Sequence, residues 1–142
     1  MNNPTTQTFL GFDFGTKRIG VAVGQNVTRQ ARPLLTVTYI NKEPDWQTIK
    51  TIIATWHPAG LVLGIPYNMD GSEQPVTLLA KKFGDNCAKH FGLPVYAIDE
   101  RLTTVEAKAQ LFADGGYKTL KNSEIDAYAA KLILESWLQE KN

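Results

Sequence analysis

The sequence predicts an α/β protein: a five-stranded mixed sheet, three antiparallel strands then two parallel ones, with helices on both faces. Three observations lead there. Apolar runs at residues 9–14, 18–24 and 34–40 are separated by short turns marked by Gly or Pro, the spacing of an antiparallel meander. From Asp45 the period changes, with Trp46, Ile49, Ile52, Ile53 and Trp56 recurring as they would along one side of a helix. Residues 61–65, LVLGI, then form a continuous apolar run, the pattern of a strand covered on both faces.

Taken in order, Gly15, Thr16 and Lys17 separate the first two strands as a hairpin turn. The third strand follows Arg32-Pro33, and its Thr, Val and Tyr content suits a sheet edge. The first helix stops at His57-Pro58, because proline disfavours helix in the residue before it. After the buried fourth strand, residues 67–72 are polar and centred on Asp70-Gly71, a loop overhanging the strand end. Val76, Leu79, Ala80, Phe83 and Cys87 mark a second helix, ended by Gly92-Leu93-Pro94, and residues 95–100 form a strand finishing on acids. Thr103 to Glu106 read as a capping box for a third helix reaching Ala113, and a last helix runs from Ser123 to Glu140. The order βββαβαβαα with right-handed crossovers makes the later strands parallel.

The 142 residues, 43% hydrophobic and 20% charged, suffice for one core, so residues 9–140 read as a single domain and residues 1–8 as a frayed tail. One cysteine, Cys87, rules out an internal disulfide, no Cys/His cluster has zinc spacing, and both facts fit a cytoplasmic protein. No signal-peptide pattern or membrane-length apolar run is present. Fifteen Lys and Arg against fourteen Asp and Glu neither require nor exclude a nucleic-acid partner, since an acidic catalytic cluster lowers the total.

Asp13 stands in an apolar strand, where a carboxylate is costly unless cations or donors compensate it; the plain alternative is that it caps the Gly15-Thr16 turn. Glu100 ends a strand of the same sheet, where ligands collect in α/β folds, although it could simply be solvated. Asp126 precedes Ala129, Ala130, Ile133 and Trp137 by three, four, seven and eleven residues, so it points with the helix's apolar face toward the sheet; its alternative is a helix-capping role. Three carboxylates converging on one crevice repel each other unless cations sit between them. A set of Asp and Glu without Cys or His is a hard-oxygen site suited to Mg²⁺ or Mn²⁺, and two such ions can serve phosphodiester hydrolysis.

Residues 13–22 (DFGTKRIGVA), 64–72 (GIPYNMDGS), 99–107 (DERLTTVEA) and 126–130 (DAYAA) together resemble the YqgF family, also called RuvX-like, of ribonuclease H-fold nucleases. The resemblance implies a ribonuclease H-like sheet with the first strand central and a catalytic, metal-binding trio of Asp13, Glu100 and Asp126. It also implies maturation of the 5′ end of 16S ribosomal RNA, while some relatives look like Holliday-junction resolvases acting on four-way DNA. From their positions, Asp13 would bridge two ions and the other two acids would each hold one. Lys17, Arg18 and Arg101 are placed to meet phosphate oxygens, with ordinary surface charge as the alternative, and Asn68 could touch substrate or merely form its turn. Glu106 reads as a helix cap, and Asp99 should face away from Glu100 by strand alternation.

Two rival classes remain. Residues 13–16 also resemble the first phosphate loop of actin-like ATPases and sugar kinases, but those enzymes place nucleotide between two domains and this length supplies one. A non-catalytic RNA- or protein-binding factor in transcription or ribosome assembly is the other. A resolvase must cut twice symmetrically and therefore act as a dimer, whereas an RNA-trimming enzyme can be a monomer or weak homodimer. Trp46, Trp56 and Trp137 all fit core stripes and offer no obvious dimer surface.

Overall fold

The computed structural model describes residues 5–101 and 122–140. The elements are β1 (Thr8–Asp13), β2 (Arg18–Gln25), β3 (Ala31–Ile40), β4 (Glu43–Pro44), α1 (Trp46–Trp56), β5 (Gly60–Ile65), α2 (Pro75–Phe91), β6 (Val95–Asp99) and α3 (Asn122–Glu140). The expected helix from Thr103 to Ala113, and Glu106 within it, lie outside the described residues.

The strands form one sheet in the order β4-β3-β2-β1-β5-β6. β1 to β4 pair antiparallel in sequence, while β1–β5 and β5–β6 pair parallel. Six strands rather than five make up the sheet. The extra one, β4, has only two residues and contains Pro44, too short for a periodic signal and tolerable because it lies on an edge. β1 is central, as expected, and Thr8 opens it one residue earlier than the apolar run suggested. Gln7 and Asn26 then tie the preceding residues to the end of β2: the Gln7 amide donates to Asn26 Oδ1 at 2.8 Å and the Asn26 amide to the Gln7 carbonyl at 3.1 Å.

Local chemistry sets the helix ends. Asp45 caps α1, its carboxylate accepting from the Thr48 amide at 3.3 Å, and His57 closes the helix in the left-handed conformation at φ 48°. α2 starts with Gln74 and Thr77 in a reciprocal capping box followed by Pro75, and ends at Gly92 with φ 64°. His90 lies in the last turn of α2 and stacks against Trp46 with centroids 4.7 Å apart.

The pleat of the sheet divides the interior into two layers. Leu10, Phe12, Ile19, Val21, Leu61, Leu63 and Ile65 face α1 and α2, where Ile49, Ile52, Ala80, Phe83 and Cys87 complete a large core. Burial pushes the Cys87 thiol up to about 12, so it stays protonated and behaves as a small apolar residue. The other face carries Phe9, Ala22, Val62 and Ile98 under Ala130, Ile133, Leu134 and Leu138 of α3. Among the described residues, helices therefore cover both faces, with α3 on the second.

Candidate active site

The position of α3 is decided by what the sheet lacks. Gly11, Gly20, Gly24 and Gly64 all lie on the α3 side, and a Cβ on any of them would collide with its surroundings. At Gly20 the collision is with backbone: a Cβ there would stand 1.9 Å from the Asp126 carbonyl oxygen. At Gly11 it would stand 2.7 Å from Leu134 Cβ and at Gly64 2.6 Å from Ile133 Cδ1. α3 thus rests directly on the strands. Because Gly20 pairs across the ladder with Asp13, the contact sets Asp126 down beside the end of β1.

Asp13, the last residue of β1, points to the same side as Phe9 and Gly11, toward α3. Glu100 directly follows β6, and its amide donates to the Ile65 carbonyl at 2.9 Å, prolonging the parallel ladder by one residue. Its side chain continues the alternation of Tyr96 and Ile98 onto the α3 face. The carboxyl groups of Asp13 and Glu100 approach each other closely enough to interact, and a hydrogen bond between them would need one of the two to carry a proton. Burial, and after it the charge of Glu100, hold Asp13 well above the ordinary carboxylate range, with Asp126 adding to the rise. Burial likewise raises Glu100, against the lowering effect of its bond to Asp13.

Asp126 is engaged differently. Arg18 Nε donates to Asp126 Oδ2 at 2.6 Å, with the two side chains 39% and 24% exposed. Arg18 and Gly20 occupy alternate positions of β2, so Arg18 emerges on the α3 side where Asp126 is waiting. Among the described residues no three acids, histidines or cysteines are already gathered into a cage for an ion. The donor chemistry nonetheless suits a hard divalent cation: two half-buried carboxyls close to one another, with a third carboxylate within electrostatic reach and paired with the Arg18 guanidinium.

The remaining candidates lie elsewhere. Lys17 is exposed in the β1–β2 turn that follows Asp13 in the chain. Arg101 turns to the opposite side, where its guanidinium grips Asp99 (Nη2 to Oδ2, 2.6 Å) and donates to the Met69 carbonyl at 3.1 Å. That ion pair holds Asp99 below the ordinary carboxylate range. Asn68 is spent on its own loop, its amide group donating to Ser72 Oγ at 2.9 Å while Asp70 accepts from the Ser72 amide at 2.9 Å. Two contributors escaped the sequence reading. Gly20 seats the helix, and the Tyr39 hydroxyl donates to the Gly15 carbonyl at 2.7 Å, pinning the turn that follows Asp13. Small residues at alternate positions of β2 (Gly20, Ala22, Gly24) were the available signal for the first.

The model of the family RuvX, described as Holliday junction resolvase, matches residues 7–140. A Coxiella burnetii protein named "Putative pre-16S rRNA nuclease" is 56% identical over 132 residues, covering 93% of this chain and 92% of its own. A protein of the same name from Glaesserella parasuis is 51% identical over 137 residues, covering 96% and 99%. Among solved structures, Thermus thermophilus RuvC bound to a Holliday junction superposes with a TM-score of 0.52 at 16% identity, covering 95% of both chains. The fowlpox virus resolvase in complex with Holliday junction DNA gives 0.53 at 14% identity, covering 94% of this chain and 97% of its own. These structural likenesses establish a resolvase-type, ribonuclease H-like fold. With a family match over nearly its whole length and relatives of about this identity, the chain belongs to the RuvX family.

Proposed function

We propose that this protein is a metal-dependent nuclease that hydrolyses phosphodiester bonds in maturing the 5′ end of 16S ribosomal RNA. Asp13, Glu100 and Asp126 would hold the divalent ions, two Mg²⁺ or Mn²⁺. The observation that carries the reading is the close approach of the Asp13 and Glu100 carboxyls at the ends of β1 and β6, the two parallel strands that flank β5, with Asp126 set beside them by the seating of α3 on Gly20. A buried carboxyl pair weakens a fold unless a cation replaces the shared proton. The names of the relatives support rRNA as the substrate.

Bound there, divalent ions would supply a water activated as nucleophile and stabilise the leaving oxygen. The protein's own groups do the rest. Asp13 and Glu100 give up their shared proton, so binding is coupled to pH. Arg18, paired with Asp126, would be available to a phosphate oxygen if Asp126 instead held a cation. Lys17, exposed in the adjacent turn, adds a second phosphate contact.

A second reading, resolution of four-way DNA junctions, is favoured by the family description and the resolvase fold. The test is cleavage of 5′-extended 16S precursor and of a synthetic four-way junction with Mg²⁺, by wild type and Asp13→Asn. The proposal expects precursor cleavage, lost about 10³-fold in the variant, the rate equivalent of roughly 4 kcal/mol. Junction cleavage alone would favour the second reading. Equal activity in the variant would remove Asp13 from the chemistry.

A further inference from the structure

We propose that a cavity on the opposite side of the β1–β2 turn from the acids binds an unpaired nucleotide of single-stranded RNA, with its base on an aromatic wall and its phosphate on Lys42 and Lys82. The inference rests on the nuclease reading and names where substrate next to the cut is held.

The cavity has a volume of about 400 Å³, room for a nucleobase, and is walled by Phe14, Tyr39, Trp46 and Phe83. Trp46 stacks on Phe83 with centroids 5.6 Å apart, and Phe14 lies 5.4 Å from Phe83, so the wall is a rigid aromatic block. Such walls bind bases of any sequence through their π-faces. Lys42 and Lys82 stand at the rim. The carboxylate among the lining groups, Glu43, accepts from Trp46 Nε1 at 3.4 Å and is thereby used to orient the indole.

Position links the cavity to the acids. Phe14 follows Asp13 directly, and alternation sends the two side chains to opposite faces of the sheet. Thr16 of the same turn is in the lining, and Tyr39 both walls the cavity and holds the Gly15 carbonyl. A strand leaving the acids across this turn arrives at the aromatic wall. A base paired in a duplex cannot enter, so the cavity suits an RNA with a single-stranded extension rather than the paired arms of a junction.

The backbone adds an independent observation. Asn41 and Lys42 connect β3 to β4 with φ of 53° and 66°, a two-residue hairpin connection that Asn-Gly fills best. A lysine in the second position is strained and, being exposed, recovers nothing by packing. Strain of this kind is retained where the side chain has a use.

The test uses the full chain in EDTA, with a fluorescent single-stranded oligoribonucleotide followed by anisotropy. Lys42→Gly and Lys82→Gln should each weaken binding about 3- to 5-fold and flatten the salt dependence by about 0.7 per lysine removed. Lys42→Gly should also raise the Tm, because glycine relieves the turn, an effect no purely structural role for Lys42 predicts. An oligonucleotide with abasic sites should bind more weakly than its intact counterpart. Wild-type affinity and salt slope in the double variant, or equal binding of a blunt RNA duplex with the same lysine dependence, would overturn the proposal. Measuring binding and cleavage side by side separates the two readings: lysine-dependent binding by a wild type that does not cleave sinks the nuclease alone, and cleavage without lysine-dependent binding sinks the cavity alone.

Discussion

The two faces of the sheet are built to opposite rules. Toward α1 and α2 the strands present Leu10, Phe12, Ile19, Val21, Leu61 and Leu63, which meet two helices in a deep apolar layer. Toward α3 they present Gly11, Gly20, Ala22 and Gly64, which leave the helix almost touching the backbone. The first arrangement maximises buried apolar area, at about 25 cal/mol per Å². The second gives up that area at several positions and gains proximity, which carries Asp126 to the strand ends where Asp13 and Glu100 meet. Apolar burial is concentrated on one face and the three carboxylates on the other.

The sharpest way to break this contrast is to damage each face separately. Phe12→Ala removes a ring that is 1% exposed and packs edge-on against Phe83. It should cost about 3–5 kcal/mol in urea denaturation, while the folded fraction keeps its affinity for Mn²⁺. Gly20→Ala should show the reverse balance. Its stability loss should be near 3 kcal/mol, the upper end of overpacking, but Mn²⁺ binding should fall at least tenfold because the new methyl displaces Asp126. Equal loss of function per kcal/mol in the two variants would erase the distinction between the faces.

A smaller effect has a definite sign. Burial raises both Asp13 and Glu100, with the charge of Glu100 adding to the rise at Asp13 and that of Asp99 to the rise at Glu100, so the native state keeps a proton that the unfolded chain releases. The metal-free protein therefore loses stability as pH climbs from the ordinary carboxylate range through the raised values. Asp13→Asn removes that penalty and should stabilise the metal-free protein by about 1–2 kcal/mol at neutral pH, with the gain vanishing in acid. Asp99, lowered by Arg101, contributes the opposite slope, which is why the difference between variant and wild type is the quantity to measure. A gain that grows in acid would contradict the shared proton. Smallest is Arg18→Gln, where a partly exposed ion pair should cost about 1 kcal/mol in thermal denaturation. Its Mn²⁺ affinity should rise a few-fold as Asp126 is released.

Much of this was legible because it is periodic. The helical repeat of α3 was enough to aim Asp126 toward the sheet, and Asp45 and Gly92 announced the helix ends. What escaped was relational. β4 is defined only by its partner strand, since two residues have no period. The role of Gly20 depends on which helix lands on it. The ion pair of Arg18 with Asp126, which alternation along β2 makes possible, was not announced by its place beside the turn. Arg101 was read from its nearness to Glu100, but its backbone and guanidinium both bond to Asp99, two residues back, which carries it to the other face.

The central claim, that the carboxyl pair on the thin face is a cation site, is tested most directly by calorimetric titration of Mn²⁺ in two buffers of different ionisation enthalpy. The wild type should bind Mn²⁺ with a buffer-dependent heat, because a proton leaves the Asp13–Glu100 pair, and Asp13→Asn should abolish both the binding and the proton release. Binding of Mn²⁺ with no proton released, or undiminished in Asp13→Asn, would contradict it.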